Sequence, residues 1–426
     1  MKNMRIPALL ATLFVAACAF PQTKRSDEFN NKYDLKETVV LSRHNIRSPL
    51  SGNGSALGEM TSHKWTDWSA APSELTSRGG TLETIMGQFF RKWLVDQGLF
   101  EENEVPTTDE VNIYANSMQR TIATAQYFTS GFMPMANLRV NHRFSPSKMD
   151  PVFCPQLTKV NPEFIALAMQ QINDMGGKKG IVGINENLKP NYELIAEVLD
   201  LKDSDAVKSG KMSGFDNYNT EIILQQWQEP QMKGSLKDAN SASDAFILQY
   251  YEVPDTLEAT FGHPVSRQQM QEIAKIKDVY GDVLFTAPIV AANVAHPLLQ
   301  YMFDELNSPD RKFSFLVGHD SNIASVLAAL GVEDYTLPEA IEQKTPIGSK
   351  LVIEKWTDAN GKEYGCLNLV YQSVDQLRDM QLLDLDNPPM VVPLSLKGLT
   401  ANADGLYSME DLLKRFSEAI SAYDSI

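Results

Sequence analysis

Three short apolar runs each stop at a polar loop and give way to a helical period, and this repeat constrains the fold more than any other feature. Glu37-Thr38-Val39-Val40-Leu41-Ser42 runs into Arg43. Val111-Asn112-Ile113-Tyr114-Ala115-Asn116 precedes a segment opening near Gln119-Arg120, and Phe313-Ser314-Phe315-Leu316-Val317-Gly318 precedes His319-Asp320. After the third run, Ile323, Val326, Leu327 and Leu330 fall at i, i+3, i+4 and i+7 of one helix face. Leu82, Ile85, Met86, Phe89, Phe90, Trp93 and Leu94 form a wide stripe after Gly79-Gly80. β-branched and aromatic runs alternating with helices predict an α/β fold with a mainly parallel, doubly covered sheet. Sites in such sheets lie beyond the carboxyl ends of the strands, so the three loops are expected to share one edge.

Between residues 149 and 285 the strand signal fades. Phe164, Ile165, Ala168, Met169 and Ile172 read as one helical stripe. Ser266-Arg267-Gln268-Gln269 reads as a capping box opening a helix that carries Met270, Ile273 and Ile276 inward. Ile181 to Lys211 is polar and reads as long loops. Residues 149–285 are therefore expected to be a smaller helical insertion (cap) over an α/β catalytic domain built from 33–148 and 286–426.

A net charge of −16 argues against nucleic acid, since no long-range basic field is present. The N-terminus reads as an address: Lys2 and Arg5 precede an apolar run from Ile6 to Ala17, so residues 1–19 are expected to be a signal peptide or lipoprotein signal. Ala17-Cys18-Ala19 allows a cut before Phe20. Val15-Ala16-Ala17-Cys18 resembles a lipobox, which makes Cys18 a lipidation candidate and Gln22 to Lys32 a tether. After the signal only Cys154 and Cys366 remain, too few for a disulfide framework or a cysteine zinc site. Their spacing does not decide whether they bond.

The chain holds six histidines. His63, His142, His263 and His296 stand among ordinary loop and helix residues, none at a metal-ligand spacing from another, and read as surface or hydrogen-bonded residues. His44 and His319 differ because each ends a predicted strand. Arg43 precedes His44 and Arg47 follows three residues later. Guanidinium groups grip a compact dianion with paired, charge-assisted hydrogen bonds, so this segment describes a phosphate cradle around a nucleophile. His319-Asp320 alone would read as a helix N-terminus. In one chain with the Arg-His loop it reads as the complementary half of a site.

Arg43-His44-Asn45-Ile46-Arg47-Ser48-Pro49 resembles the Arg-His-Gly-x-Arg-x-Pro signature of the histidine acid phosphatases, within the histidine phosphatase superfamily, and His319-Asp320 resembles their distal His-Asp pair. The likeness spans nearly all of the chain beyond the signal. It includes Leu75-Thr76-Ser77-Arg78-Gly79-Gly80, Ala115-Asn116-Ser117-Met118-Gln119-Arg120-Thr121 and Thr345-Pro346-Ile347-Gly348-Ser349-Lys350. Asn45 replaces the usual Gly, as in the bacterial periplasmic glucose-1-phosphatase branch; Leu50 and Gln228-Glu229-Pro230 also resemble that branch, with bacterial phytases a step further off. The family's usual disulfide cysteines are missing.

The resemblance implies a phosphoglycerate-mutase-like core and an exported acid phosphatase without metal or cofactor. In that reading His44 is the nucleophile, forming a phosphohistidine, and Asp320 the proton donor. Arg43, Arg47, Arg120 and His319 hold the phosphate, and Glu229 selects the substrate. The expected substrate is a small sugar phosphate such as glucose 1-phosphate, with a phytase or broad acid phosphatase as the alternative. A lipoprotein that binds sugar phosphates without hydrolysing them is the reading from another class, and a metal-dependent phosphatase is a third. The expected location is the periplasm, or the outer membrane if Cys18 is lipidated.

Overall fold

The structure, a computed structural model, describes residues 25–50 and 55–426. The signal at 1–19 and the lipidation candidate Cys18 lie outside the described residues. Ten strands occur among these residues: β1 Tyr33–Arg43, β2 Val111–Ala115, β3 Val140–Asn141, β4 Thr220–Ile223, β5 Gln231–Gly234, β6 Phe313–Gly318, β7 Lys350–Asp358, β8 Glu363–Tyr371, β9 Met390–Pro393 and β10 Tyr407–Ser408. Eight form one sheet in the order β10-β8-β7-β1-β6-β2-β3, with β9 also paired to β8. β1, β6, β2 and β3 run parallel, whereas β7 to β10 continue the sheet antiparallel. The α/β architecture is the expected one, and its parallel part carries the three loops.

β6 is buried along its whole length because helices cover both faces. On one face Val40, Ile113 and Phe315 meet Ile85, Phe89, Phe90 and Phe128, from helices Ser77–Asp96 and Gln119–Phe132. On the other, Val39, Leu41 and Leu316 meet Leu299, Met302, Ile323, Val326 and Phe416. Arg43 pairs with Gly318 and Ala115 with Val317, so β1, β6 and β2 end at one level. The site is built on that edge.

A third apolar cluster fills the helical layer. Helix Arg267–Phe285 opens with the expected capping box and buries Met270, Ile273 and Ile276. In helix Pro162–Asp174 the inward residues are Phe164, Ala168 and Ile172; Ile165 is exposed, contrary to the expected stripe. Ile181 to Lys211 is also not long loops, since helices Gly180–Asn187 and Lys189–Val198 form there. Ile184, Leu188, Tyr192, Ile195 and Leu199 keep a helical period across Pro190, which sits in the first turn where its missing N–H is harmless. The β4–β5 hairpin is the strand pair that the faded signal hid.

Of the expected tether, the part from Arg25 onward is docked. Arg25 pairs with Glu354 at 2.9 Å and lies over Phe29 and Trp356. Cys154 and Cys366 are both unpaired. Among the described residues, no helix is long and apolar enough to cross a membrane.

Beneath the site edge, Lys350 and Glu83 form an ion pair at 3.1 Å with both side chains at 0% exposure. Burial pushes the Glu83 carboxyl up and the Lys350 ammonium down despite their pairing. Glu83→Ala leaves a buried, unpaired ammonium and is expected to cost about 3–5 kcal/mol in chemical denaturation. Replacing both residues with Met should recover most of that loss. A single-variant loss near zero would contradict a buried charge pair.

Candidate active site

The loop after β1 is held from several sides. The Arg43 N–H donates to Ser349 O at 2.9 Å and the His44 N–H to Gly318 O at 3.1 Å. Asn45 Nδ2 donates to Glu83 Oε1 at 2.8 Å, while its Oδ1 accepts the Ile46 N–H at 2.8 Å. Gly348, at φ +67°, packs where a Cβ would come within 2.5 Å of Asn45 Nδ2. A Cβ on Gly79 would lie 2.3 Å from Ile46 O, so the following helix closes directly on the loop. The His44 ring is fixed within this frame. Its Nδ1 lies 2.9 Å from Asn45 O, which can only accept, so Nδ1 carries the proton and Nε2 keeps its lone pair.

His319 is oriented by the same logic. Asn116 Oδ1 accepts the Asp150 N–H at 2.8 Å, so Asn116 Nδ2 donates to His319 Nε2 at 2.8 Å. His319 Nδ1 lies 3.4 Å from Arg120 Nη2, so both of its ring nitrogens face donors. The His44 and His319 rings are 5.4 Å apart, edge to face. Asn322 Oδ1 accepts the His319 N–H at 2.9 Å and anchors the start of helix Asp320–Ala329.

Arg43, Arg47 and Lys277 are each tied to a carboxylate. Arg43 Nη1 meets Glu342 at 2.9 Å and Arg43 Nη2 meets Asp320 at 3.5 Å. Arg47 meets Asp244 at 2.9 Å, and Lys277 meets Asp320 at 2.5 Å. Arg43 Nε and Arg120 Nε are buried with no hydrogen-bond partner among the described residues. A cleft with unsatisfied guanidinium donors is built for an oxyanion.

These charges set the protonation states. Burial first, then Arg120, His319, Arg47 and Arg43, hold the His44 imidazole well below 6.5. Burial and Arg120 do the same for His319, against the pull of Asp320. Burial alone would push Asp320 up, but Lys277, Arg43 and His44 outweigh it and keep its carboxyl well below the usual range. Burial and the Arg47 charge bring Arg120 down to about 10.

The cleft has a volume of about 690 Å³, and His44, Arg47, Arg120, His319, Asp320 and Glu229 all line it. Glu229 lies in the β4–β5 connection, with Oε1 3.9 Å from Cys154 Sγ. Burial pushes the Glu229 carboxyl up and Arg120 opposes this. Burial also raises the Cys154 thiol to about 12, so it stays protonated. A neighbouring cleft of about 900 Å³ holds no histidine and none of these six residues.

Every site residue expected from the sequence, apart from Cys18, is thus found on or beside one cleft. Lys277, Asp244, Glu342 and Asn116 were not anticipated. Lys277 stands on helix Arg267–Phe285, expected from its capping box, and Asp244 on helix Ser235–Glu252, which the sequence reading did not single out. Of the four other histidines, His63 and His263 are hydrogen-bonded as expected, but to one shared carboxylate, Asp200. His142 meets its neighbour Phe144 O at 2.8 Å, and His296 stacks on Tyr423, as expected of structural histidines.

Residues 34–372 match the family model of the histidine phosphatase superfamily, branch 2. The chain belongs to that superfamily. This histidine phosphatase is 40% identical to a glucose-1-phosphatase of Providencia rettgeri, over 96% of this chain and 98% of the relative. It is 37% identical to a glucose-1-phosphatase of Salmonella typhimurium, over 95% and 97%. Its fold is similar to that of a Hafnia alvei phytase solved with tartrate, at a TM-score of 0.82 and 27% identity over 91% of this chain and 98% of that one. The chain is therefore a hydrolase of the histidine acid phosphatase family, which displaces the non-catalytic binder.

The depressed imidazoles make a pH prediction. The folded protein keeps His44 and His319 neutral, whereas the unfolded chain protonates them near about 6.5. Their contribution is present in full above that value and is lost as pH falls toward their folded values. The melting temperature should fall between pH 7 and pH 5, and less steeply in His44→Gln; an unchanged slope in the variant would contradict a neutral His44.

Proposed function

We propose that this histidine phosphatase hydrolyses sugar monophosphates, with glucose 1-phosphate as its reference substrate, through a phosphohistidine on His44. The observation that carries the reading is the His44 ring, with Nδ1 committed to Asn45 O and Nε2 bare among Arg43, Arg47, Arg120 and His319. Nε2 attacks phosphorus, and the N–P bond forms as the ester P–O bond breaks. Asp320 passes its proton to the departing alkoxide. Water then attacks phosphorus and yields a proton to Asp320, and the N–P electron pair returns to Nε2 as orthophosphate leaves. The arginines and His319 hold the three equatorial oxygens as charge spreads over them.

Asp320 needs a proton for the first step, yet Lys277 and Arg43 keep it ionised in the free protein. An arriving phosphate places negative charge against those cations and loosens their hold on the carboxylate, so the proton is loaded with the substrate. Lys277→Met is expected to move the alkaline limb of kcat/KM to higher pH, because Asp320 then stays protonated further. Asp320→Asn should lower turnover of glucose 1-phosphate relative to nitrophenyl phosphate by about 10²-fold, the lower end of general-acid effects. Equal slowing of both substrates would remove Asp320 from the acid role.

Glu229 supports a singly phosphorylated substrate. Its carboxylate near the phosphate site repels a ring carrying several phosphates more than a sugar monoester. Because burial raises its pKa, this discrimination should grow with pH. Glu229→Ala is expected to raise turnover of inositol hexakisphosphate relative to glucose 1-phosphate by roughly tenfold, the effect of ~1.4 kcal/mol. A wild type that prefers inositol hexakisphosphate would favour the phytase reading instead.

Residues 1–19 are read as an export signal, which puts the enzyme outside the cytoplasm of a bacterium. Intact mass of the exported protein should show a lipidated Cys18 as the first residue. An unmodified chain beginning at Phe20 would assign a soluble periplasmic enzyme.

A further inference from the structure

The convergence of His63, His263 and Asp200 has no part in the phosphatase chemistry, and none of the three lines the phosphate cleft. Each comes from a different segment. His63 lies in the loop leading toward helix Ser77–Asp96, Asp200 ends helix Lys189–Val198 in left-handed backbone at φ +48°, and His263 sits in the turn after helix Thr256–Ala259. Both rings aim the same atom at the same oxygen. His63 Nε2 is 2.7 Å and His263 Nε2 3.2 Å from Asp200 Oδ2, and the three ligand atoms lie within 4.8 Å of one another.

The three segments are locked together by groups buried behind them. Thr61 Oγ1 donates to Leu199 O at 2.7 Å, joining the His63 loop to the residue before Asp200. Gln249, 1% exposed, accepts the Thr66 N–H at 2.8 Å and donates to Ala259 O at 2.9 Å, joining the same loop to the His263 turn. Thr260 Oγ1 donates to His263 O at 2.6 Å, and Phe261 stacks flat on the His63 ring with centroids 4.9 Å apart. The cluster is thus preorganised, so a ligand there would not have to order its own site.

We propose that His63, His263 and Asp200 form a structural site for one divalent transition metal, zinc fitting best. Two imidazoles and a carboxylate suit zinc, and the partly exposed side chains leave a fourth position to water. Zinc bonds of about 2.0–2.1 Å set tetrahedral ligand edges near 3.3 Å. The His263–Asp200 contact already has about that length, His63 withdraws by about half an ångström from its 2.7 Å contact, and the two Nε2 atoms, within 4.8 Å of each other, adjust to the same edge. Binding puts each ring proton on Nδ1 and turns the Nε2 lone pair to the metal. The metal clips the loop that follows the phosphate cradle onto the helical layer that supplies Asp244 and Lys277. With Cys154 and Cys366 unpaired, the described residues hold no disulfide that does this work.

The test is a zinc titration of chelator-stripped, tag-free protein at neutral pH, since imidazole binds metal in its neutral form. The expected result is one zinc per chain and a higher melting temperature with zinc, because the metal binds only the folded state. His63→Asn, His263→Asn and Asp200→Asn should each weaken binding by about 100-fold or more, at or beyond the upper end of the effect of losing an outer-shell partner. His142→Asn should leave it unchanged. Should a variant fail to fold, cobalt added to the wild type still reports the site, because its visible spectrum should show four-coordinate nitrogen and oxygen ligation. Turnover of nitrophenyl phosphate should be equal with and without zinc. No saturable zinc, binding untouched by the three replacements, six-coordinate cobalt, or turnover that tracks zinc content would each overturn the proposal; the first would leave a hydrogen-bonded trio only.

Discussion

A phosphate site must hold several positive charges close together in a buried cleft before any phosphate arrives, and the rest of this structure follows from how that repulsion is offset. Glu342 and Asp320 face Arg43, Asp244 faces Arg47, and Asp320 faces Lys277. Each carboxylate occupies part of a cation and leaves donors over, so Arg43 Nε stays unpaired; Arg120, with no carboxylate partner among the described residues, keeps its Nε unpaired as well. Removing one carboxylate would strand a buried cation, so the acidic residues are as necessary to the fold as the basic ones are to the chemistry. The compensation also reaches the histidines. Burial first, and then the surrounding positive charge, keep His44 unprotonated and leave the Nε2 lone pair free.

Position matters as much as charge. Asn45 links the loop to Glu83, Glu83 is paired to Lys350, and Gly348 makes room for the Asn45 amide. The strand end, helix Ser77–Asp96 and the Thr345–Lys350 turn therefore fix one peptide, whose carbonyl chooses the His44 tautomer. In a chain with glycine at position 45 that support would have to come from elsewhere. Asn45 is a structural member of the site and more than a marker of ancestry.

The sheet edge was legible because strand ends and helix starts announce themselves locally: Val317-Gly318 before His319, and the i, i+3, i+4 series after it. So were the arginines and histidines of the site, since at those strand ends they have few bland explanations. Lys277 and Asp244 were hidden because both sit on amphipathic helices where a charge ordinarily faces water, and only the packing of the helical layer turns them inward. The helices within 181–211 were missed because a polar outer face masked a sparse inner period. The meeting of His63, Asp200 and His263 joins positions far apart in sequence, which no local pattern can reveal. The antiparallel strands β7 to β10 left no distinct motif beyond the Thr345–Lys350 turn that leads into β7.

The central claim is that His44 Nε2 takes the phosphoryl group. Rapid acid-free quenching of the wild type during turnover of labelled glucose 1-phosphate, followed by peptide mapping, tests it directly. The account predicts an alkali-stable, acid-labile phosphate on the peptide containing His44, formed and lost at rates that support turnover. Label on another residue, or turnover with no covalent phosphate and inversion at phosphorus, would contradict it.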